Sequence, residues 1–183
     1  EAFLDCTGAR RLLGEPREIG ESIKRAIRDA TGLTSSVGIA SCKSVAKIAS
    51  DINKPDALTI CPFGREREFI APLPVSRLWG AGSKTVDYLK SFGFATIGDI
   101  ASASMEEMET LLGKWGEHLW LLARGIDPRE VECHGQRKSV SEEYTFDSDT
   151  WSDPLIEHTL LELADQLARR AREYCVRGRT ITL

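Results

Sequence analysis

The chain has 183 residues, with 24 Lys and Arg against 28 Asp and Glu, and a formal net charge of −4 at pH 7. Its 42% hydrophobic and 28% charged content is that of an ordinary globular protein, and no apolar run nears the roughly 20 residues that span a bilayer. These figures exclude a membrane span and a broadly basic nucleic-acid binder, so any grip on nucleic acid must use local stripes of charge and backbone N–H groups.

Glu1 to Thr7 looks like a strand, opening without a lead-in or a methionine, which reads as a piece of a longer protein. Gly8 to Gly14 is a turn with a short basic segment. Pro16 suits a first helical position, and Ile19, Ile23, Ala26, Ile27 and Ala30 form one apolar stripe before Gly32 stops the helix.

Ser36 to Pro55 is the most informative stretch. Residues 34–40 predict a strand in which Gly38 lets another backbone come close, and 43–53 predict a helix whose Val45, Ile48, Ala49 and Ile52 face a sheet. Lys43 and Lys47 share one helix face, and Lys54 lies just past the helix end. A basic face beside a sheet suits a polyphosphate or a nucleic-acid backbone; it also suits a plain solvated face. Leu58 to Ile60 add a second short strand. The order strand, helix, strand, helix, strand predicts a sheet with two helices on one face.

Composition shifts between Pro62 and Pro74, and short helices broken by glycines follow at 75–79, 83–92, 97–102, 105–112 and 115–124. Between the first two, Trp79-Gly80-Ala81-Gly82-Ser83-Lys84-Thr85 is a helix-hairpin-helix pattern. Gly80 and Gly82 allow a sharp bend, and the N–H groups that open the next helix can face a phosphate, with Lys84 adding charge. A purely structural helix–helix turn would use the same G-x-G. Lys114-Trp115-Gly116 reads as a weaker second hairpin.

Residues 126–136 carry Pro128 and Gly135 without periodicity and read as a linker. Ser139 to Phe146 alternates as a strand. Asp153-Pro154 caps and opens a helix lined by Leu155, Ile156, Leu160, Leu163, Leu167 and Ala171, and Arg179 to Leu183 begins another strand. The five cysteines (Cys6, Cys42, Cys61, Cys133, Cys175) are odd in number and form no C-x-x-C pair. With His118, His134 and His158 isolated, zinc-ligand spacing is absent, and reduced thiols fit a cytoplasmic protein.

Taken together, these segments resemble the Y-family translesion DNA polymerases, most closely the bacterial polymerase IV type. Glu1-Ala2-Phe3-Leu4-Asp5 is similar to the second half of that family's Ser-hydrophobic-Asp-Glu-Ala-Tyr-Leu-Asp palm motif. Ser36 to Pro55 is similar to its pattern S-hydrophobic-G-I-A-x-N-K-x-x-A-K-I-A-S-D-x-N-K-P, the hairpin to its thumb, and Arg137-Lys138-Ser139-Val140-Ser141-Glu142 to the start of its little-finger domain. Some positions depart: Cys42 stands where Asn is usual, Phe3 replaces Tyr, and Asp56-Ala57 replaces x-Gly. Glu142 is acidic where a basic or neutral residue often meets DNA.

The resemblance implies an α+β protein. Residues 1–70 would be a partial palm (a sheet with helices on one face) and 71–125 an all-helical thumb with the helix-hairpin-helix. A linker at 126–136 would lead to the start of an α/β little-finger domain at 137–183. The implied activity is template-directed DNA synthesis of the translesion, or damage-bypass, class: nucleotidyl transfer to a primer with two Mg2+ ions. Glu1 would be the catalytic and metal carboxylate. Lys54 and Lys47 would hold the nucleotide, while Lys43, Gly80, Ala81, Gly82, Ser83, Lys84 and Thr85 would hold DNA on the primer side. Lys138, Ser139 and Ser141 would lie along the template.

Implied partners are primer–template DNA, a deoxynucleoside triphosphate and the replication sliding clamp, for a monomeric cytoplasmic protein. The family's first metal aspartates and its fingers precede the position of Glu1, so the chain as written is expected to be inactive alone. The competing expectation is a catalytically inactive, polymerase-like accessory protein that binds DNA.

Overall fold

The computed structural model describes residues 1–132 and 139–183; Lys138 and most of the expected linker's second half lie outside the described residues. The chain divides into two units, Glu1–Val131 and Glu132–Leu183. No helix among the described residues is long and apolar enough to cross a membrane.

The first unit is built on two short parallel strands, β1 (Val37–Ile39) and β2 (Leu58–Ile60), with Val37 paired to Leu58 and Ile39 to Ile60. Helix α1 (Arg10–Leu13) is a single turn inside the predicted basic turn. Helix α2 (Pro16–Thr31) starts where the proline indicates, with Glu15 and Glu18 closing a capping box, and ends at Gly32 in the left-handed conformation (φ 72°). Helix α3 (Lys43–Ile52) connects the two strands.

The two covering helices flank the sheet instead of sharing one face. A Cβ on Gly20 of α2 would strike the Leu58 and Ile39 side chains, whereas a Cβ on Gly38 would lie 2.0 Å from the Ala46 carbonyl oxygen and 2.3 Å from the Ser50 nitrogen of α3. Successive residues of a strand point to opposite faces, so Ile39 meets α2 on one side and Gly38 meets α3 on the other. The predicted close approach at Gly38 is therefore real, and the one-sided arrangement is corrected.

The expected strands at 1–7, 139–146 and 179–183 are not strands. Each is irregular, because among the described residues none finds a neighbour with which to exchange backbone hydrogen bonds. Alternation permits a strand, but a ladder requires a partner.

Beyond the sheet come α4 (Glu66–Ile70), a 3-10 turn (Val75–Arg77), α5 (Ser83–Ser91), α6 (Ile97–Ser102), α7 (Met105–Leu112) and α8 (Lys114–Ala123). All but α4 follow the predicted segments closely. At Gly116 the two last helices touch backbone to backbone, a Cβ there falling 1.9 Å from the Met108 carbonyl oxygen, so the second glycine pattern serves packing. Ile70, Val75, Leu78, Leu89, Ile97, Ile100, Met108, Leu119 and Leu122 fill the core, and Val45 and Ile48 of α3 belong to it as well. The lysine helix thus packs on the helical bundle through these two residues and on the sheet through the backbone at Gly38. One core holds both.

In the second unit, α9 (Asp153–Glu173) starts with Asp153 already inside the helix and Ser152 at the cap, with proline in the first turn. Leu155 is exposed and Ile156, Leu160, Leu163, Leu167 and Ala171 are only half-buried.

Candidate functional site

Burying Val45 and Ile48 turns the other side of α3 outward, and there four charged groups meet. Lys47 and Asp51 are one helical turn apart, with Nζ 2.6 Å from Oδ2. Lys54, just past the helix, places its Nζ 2.5 Å from the other oxygen, Oδ1. The Glu1 Oε2 lies 3.5 Å from the Lys47 Nζ. Asp51 is thus shared between the two predicted nucleotide lysines, and Lys47 between two carboxylates. The hydrogen bond to Asp51 holds the Lys47 ammonium above its ordinary pKa, with burial working against it. Burial pushes the Asp51 carboxyl up, but the bonds and charges of Lys47 and Lys54 outweigh it and leave the group below the usual range.

The loop carrying Lys54 is tied down from α2. Lys24 donates to the Ser35 carbonyl (2.7 Å) and to Asp56 Oδ1 (2.5 Å), and Asp56 itself takes a left-handed backbone (φ 55°).

Beside this cluster, an open cavity of about 280 Å³ is bounded by Lys47, Ile48 and Asp51 on one wall and by Arg77, Trp79, Gly80 and Ala81 on the other. That second wall includes the first half of the predicted bend, Trp79 to Ala81. Gly80 has φ 94° and would crowd Trp115 if given a Cβ (3.1 Å), whereas Gly82 has ordinary φ and open space around it. Gly82 is the N-cap of α5 and has no side chain with which to cap it. By contrast, Thr96 caps α6 and Ser104 caps α7 with their hydroxyls. The first N–H groups of α5, like those of α8 behind Gly113, have no side-chain cap, and Gly82, Ser83 and Lys84 are exposed while Thr85 is half-buried.

Lys43 sits at the other end of α3. Its ammonium donates to the Glu130 carbonyl oxygen (3.1 Å) and lies 5.4 Å from the centre of the Phe3 ring. Phe3 in turn stacks obliquely on Trp79, centroids 5.7 Å apart, and the Arg129 guanidinium covers Trp79 at 4.4 Å. Arg129 grips Asp127 with two bonds, Nε to Oδ1 at 2.7 Å and an Nη to Oδ2 at 2.8 Å. The Asp127 side chain has no exposed surface, and its Oδ2 also accepts the backbone N–H of Ser44 (3.0 Å) in the first turn of α3. Burial pushes Asp127 up, and the Arg129 bonds and charge with the Ser44 N–H hold it below the usual range. Sequence reasoning missed Asp127, Arg129 and Asp51 as site residues. Residues 126–130, read as linker, bond back onto α3.

In the second unit, Ser139 and Ser141 are exposed, and the Ser141 carbonyl accepts a bond from Arg170 (3.1 Å). Glu142, the acidic departure from the family pattern, is ion-paired to the same Arg170, so its charge is countered within the unit.

Among the described residues, no three of His, Cys, Asp and Glu lie together in a way that could hold a metal ion. Glu1 faces Lys47, which it shares with Asp51. The Mg2+ ions implied by the resemblance would need ligands beyond those that these residues bring together.

Family models match the chain in three consecutive blocks. Residues 1–51 match the impB/mucB/samB family, 76–127 the thumb domain of DNA polymerase-iota, and 137–183 the C-terminal domain of the impB/mucB/samB family. DNA polymerase IV of Desulfatibacillum aliphaticivorans is 41% identical over 183 residues, covering 100% of this chain and 46% of that protein. DNA polymerase IV of Methanoculleus marisnigri is 44% identical, again covering 100% of this chain and 51% of its relative. Among solved structures, a Y-family DNA polymerase chimera superposes with a TM-score of 0.76 at 27% identity, over 91% of this chain and 48% of its own. The chain spans about half the length of the curated relatives it matches.

Proposed function

This chain belongs to the Y-family DNA polymerases of the DNA polymerase IV type, and on that footing we propose that the protein carrying it is a template-directed translesion polymerase. In this reading residues 1–70 are part of the palm, 71–125 the thumb and 137–183 the start of the little finger. Lys47 and Lys54 receive the triphosphate of an incoming deoxynucleotide, and the bend from Gly80 to Thr85 receives a phosphate of the primer strand. Ser139 and Ser141 lie along the template.

One observation carries the reading. Lys47 and Lys54 converge on Asp51, and Lys47 and Asp51 line a cavity whose far wall runs through Gly80 and Ala81 to just before the uncapped start of α5. A triphosphate entering there exchanges one carboxylate partner for several phosphate oxygens, and a lysine serves this as a movable point charge. The amides at the start of α5 offer a fixed anion cradle that no side chain competes for. Glu1 is the second carboxylate at Lys47, 3.5 Å from its ammonium.

The test is binding of a labelled primer–template duplex by the full chain across a salt series. The expected affinity falls steeply with salt, as counterions are released from each phosphate contact. Flat binding between low and moderate salt sinks the phosphate assignments. For Glu1, the chain joined to the upstream segment of a DNA polymerase IV relative is expected to extend primers, and Glu1→Gln to stop it.

A further inference from the structure

The contacts of Asp127 and Arg129 do something that neither the lysine helix nor the bend can do alone. Helix α3 lacks a backbone cap of its own, since the Cys42 thiol at its N-cap pairs with the Ser44 hydroxyl and not with a helix N–H. The missing acceptor comes from Asp127, 83 positions downstream, whose buried carboxylate takes the Ser44 N–H. The same carboxylate is clamped by Arg129, and Arg129 lies on Trp79, the residue before Gly80. Lys43 closes the loop by bonding the Glu130 carbonyl and covering Phe3, which touches Trp79.

We propose that Asp127 and Arg129 are positioning residues: a latch that caps the lysine helix from outside and ties that cap to the residue preceding the glycine bend, fixing the separation of the two walls. The functional consequence rests on the polymerase reading. Lys47 and the bend face each other across one cavity, and a triphosphate and a primer phosphate held on its two walls keep a set spacing only if the walls do not slide.

The test uses the full chain and its Arg129→Gln and Asp127→Asn variants; the latter keeps an oxygen for the Ser44 N–H and drops the charge that Arg129 grips. Three quantities are read: thermal unfolding, amide exchange at Ser44 to Lys47, and duplex affinity against salt. In Arg129→Gln, exchange in the first turn of α3 is expected to quicken at least threefold. Duplex affinity falls severalfold with the salt slope unchanged, because no phosphate contact is lost, and Arg129→Lys restores part of both. A slope reduced by about one would mean that Arg129 itself touches a phosphate and overturns the latch. Unchanged exchange and affinity would overturn it too. Affinity that falls only in step with the folded fraction assigns a purely structural role and overturns it as well. Should Arg129→Gln fail to fold, Asp127→Asn is measured in the same three ways, and the same outcomes support or overturn the latch. If the parent chain binds no duplex, the polymerase reading falls separately, and the exchange rates still decide whether the latch holds α3.

Discussion

Lys47 and Asp51 stand one turn apart on α3 with 2.6 Å between ammonium and carboxylate, and the second oxygen of that carboxylate is occupied by Lys54 at 2.5 Å. An arriving polyphosphate must compete with Asp51 for both lysines. Removing the carboxylate and removing a lysine should therefore act in opposite directions. Inorganic tripolyphosphate is expected to bind Asp51→Asn about three- to tenfold more tightly and Lys54→Ala about tenfold more weakly than the parent, a charge effect on the order of 1 kcal/mol at low salt. Calorimetric titration reads both. Weaker binding by Asp51→Asn would show that the carboxylate aligns the lysines more than it competes for their charge.

The two glycines of the bend should separate by role. Gly80→Ala puts a side chain on a left-handed backbone against the Trp115 ring, at an expected cost of about 1–2 kcal/mol in urea unfolding. Gly82→Ser meets open space and supplies α5 with the cap it lacks, raising stability by a few tenths of a kcal/mol. That same hydroxyl occupies an amide otherwise open to phosphate, so duplex affinity falls severalfold as stability rises. Unchanged affinity would take the α5 amides out of the DNA contact.

Gly38→Ala tests how α3 is seated. The added methyl would meet backbone atoms at 2.0 and 2.3 Å, which no rotamer change can relieve. The expected loss is about 3 kcal/mol in chemical denaturation, with α3 exchanging early. A loss below about 1 kcal/mol would mean that the strand and helix part easily at this point.

Acid should loosen the latch. Asp127 is held below its ordinary pKa in the folded chain, so its stabilisation is present above the unfolded value of about 3.9 and is lost as pH falls through the folded value. Urea midpoints measured from about pH 5 to about pH 2 should drop less for Asp127→Asn than for the parent. Equal acid limbs would remove Asp127 from the pH response.

Thiol reactivity gives an independent check on burial. Burial pushes the Cys61 thiol up to about 11, while Cys6 and Cys175 are exposed. Mass-resolved alkylation at neutral pH should label Cys6 and Cys175 fast and Cys61 last of these three. Early labelling of Cys61 would contradict its packing against the bundle core.

What the sequence revealed was local. Pro16, Gly32 and the stripe between them suffice to define α2, because capping and periodicity act within a few turns. Gly38, Lys47 and Lys54 stood out for the same reason, as did the helices on either side of Gly80. The failures were of long range. Whether Glu1 to Thr7 or Ser139 to Phe146 becomes a strand depends on a pairing partner elsewhere, and alternation cannot supply one. Asp127 caps a helix from 83 residues away, a relation with no spacing rule to betray it. Asp51 was in plain view inside the lysine stretch, but its sharing by two cations follows only from where the chain turns after Ile52. The short α4 lacked enough turns to show a period.

The latch also has a mechanical side. Val131 ends the first unit, one residue past the Glu130 carbonyl held by Lys43 and four past Asp127. Tension applied along the chain from that end would load these two attachments first, and so would be felt at the start of α3 before it reached any helix of the bundle.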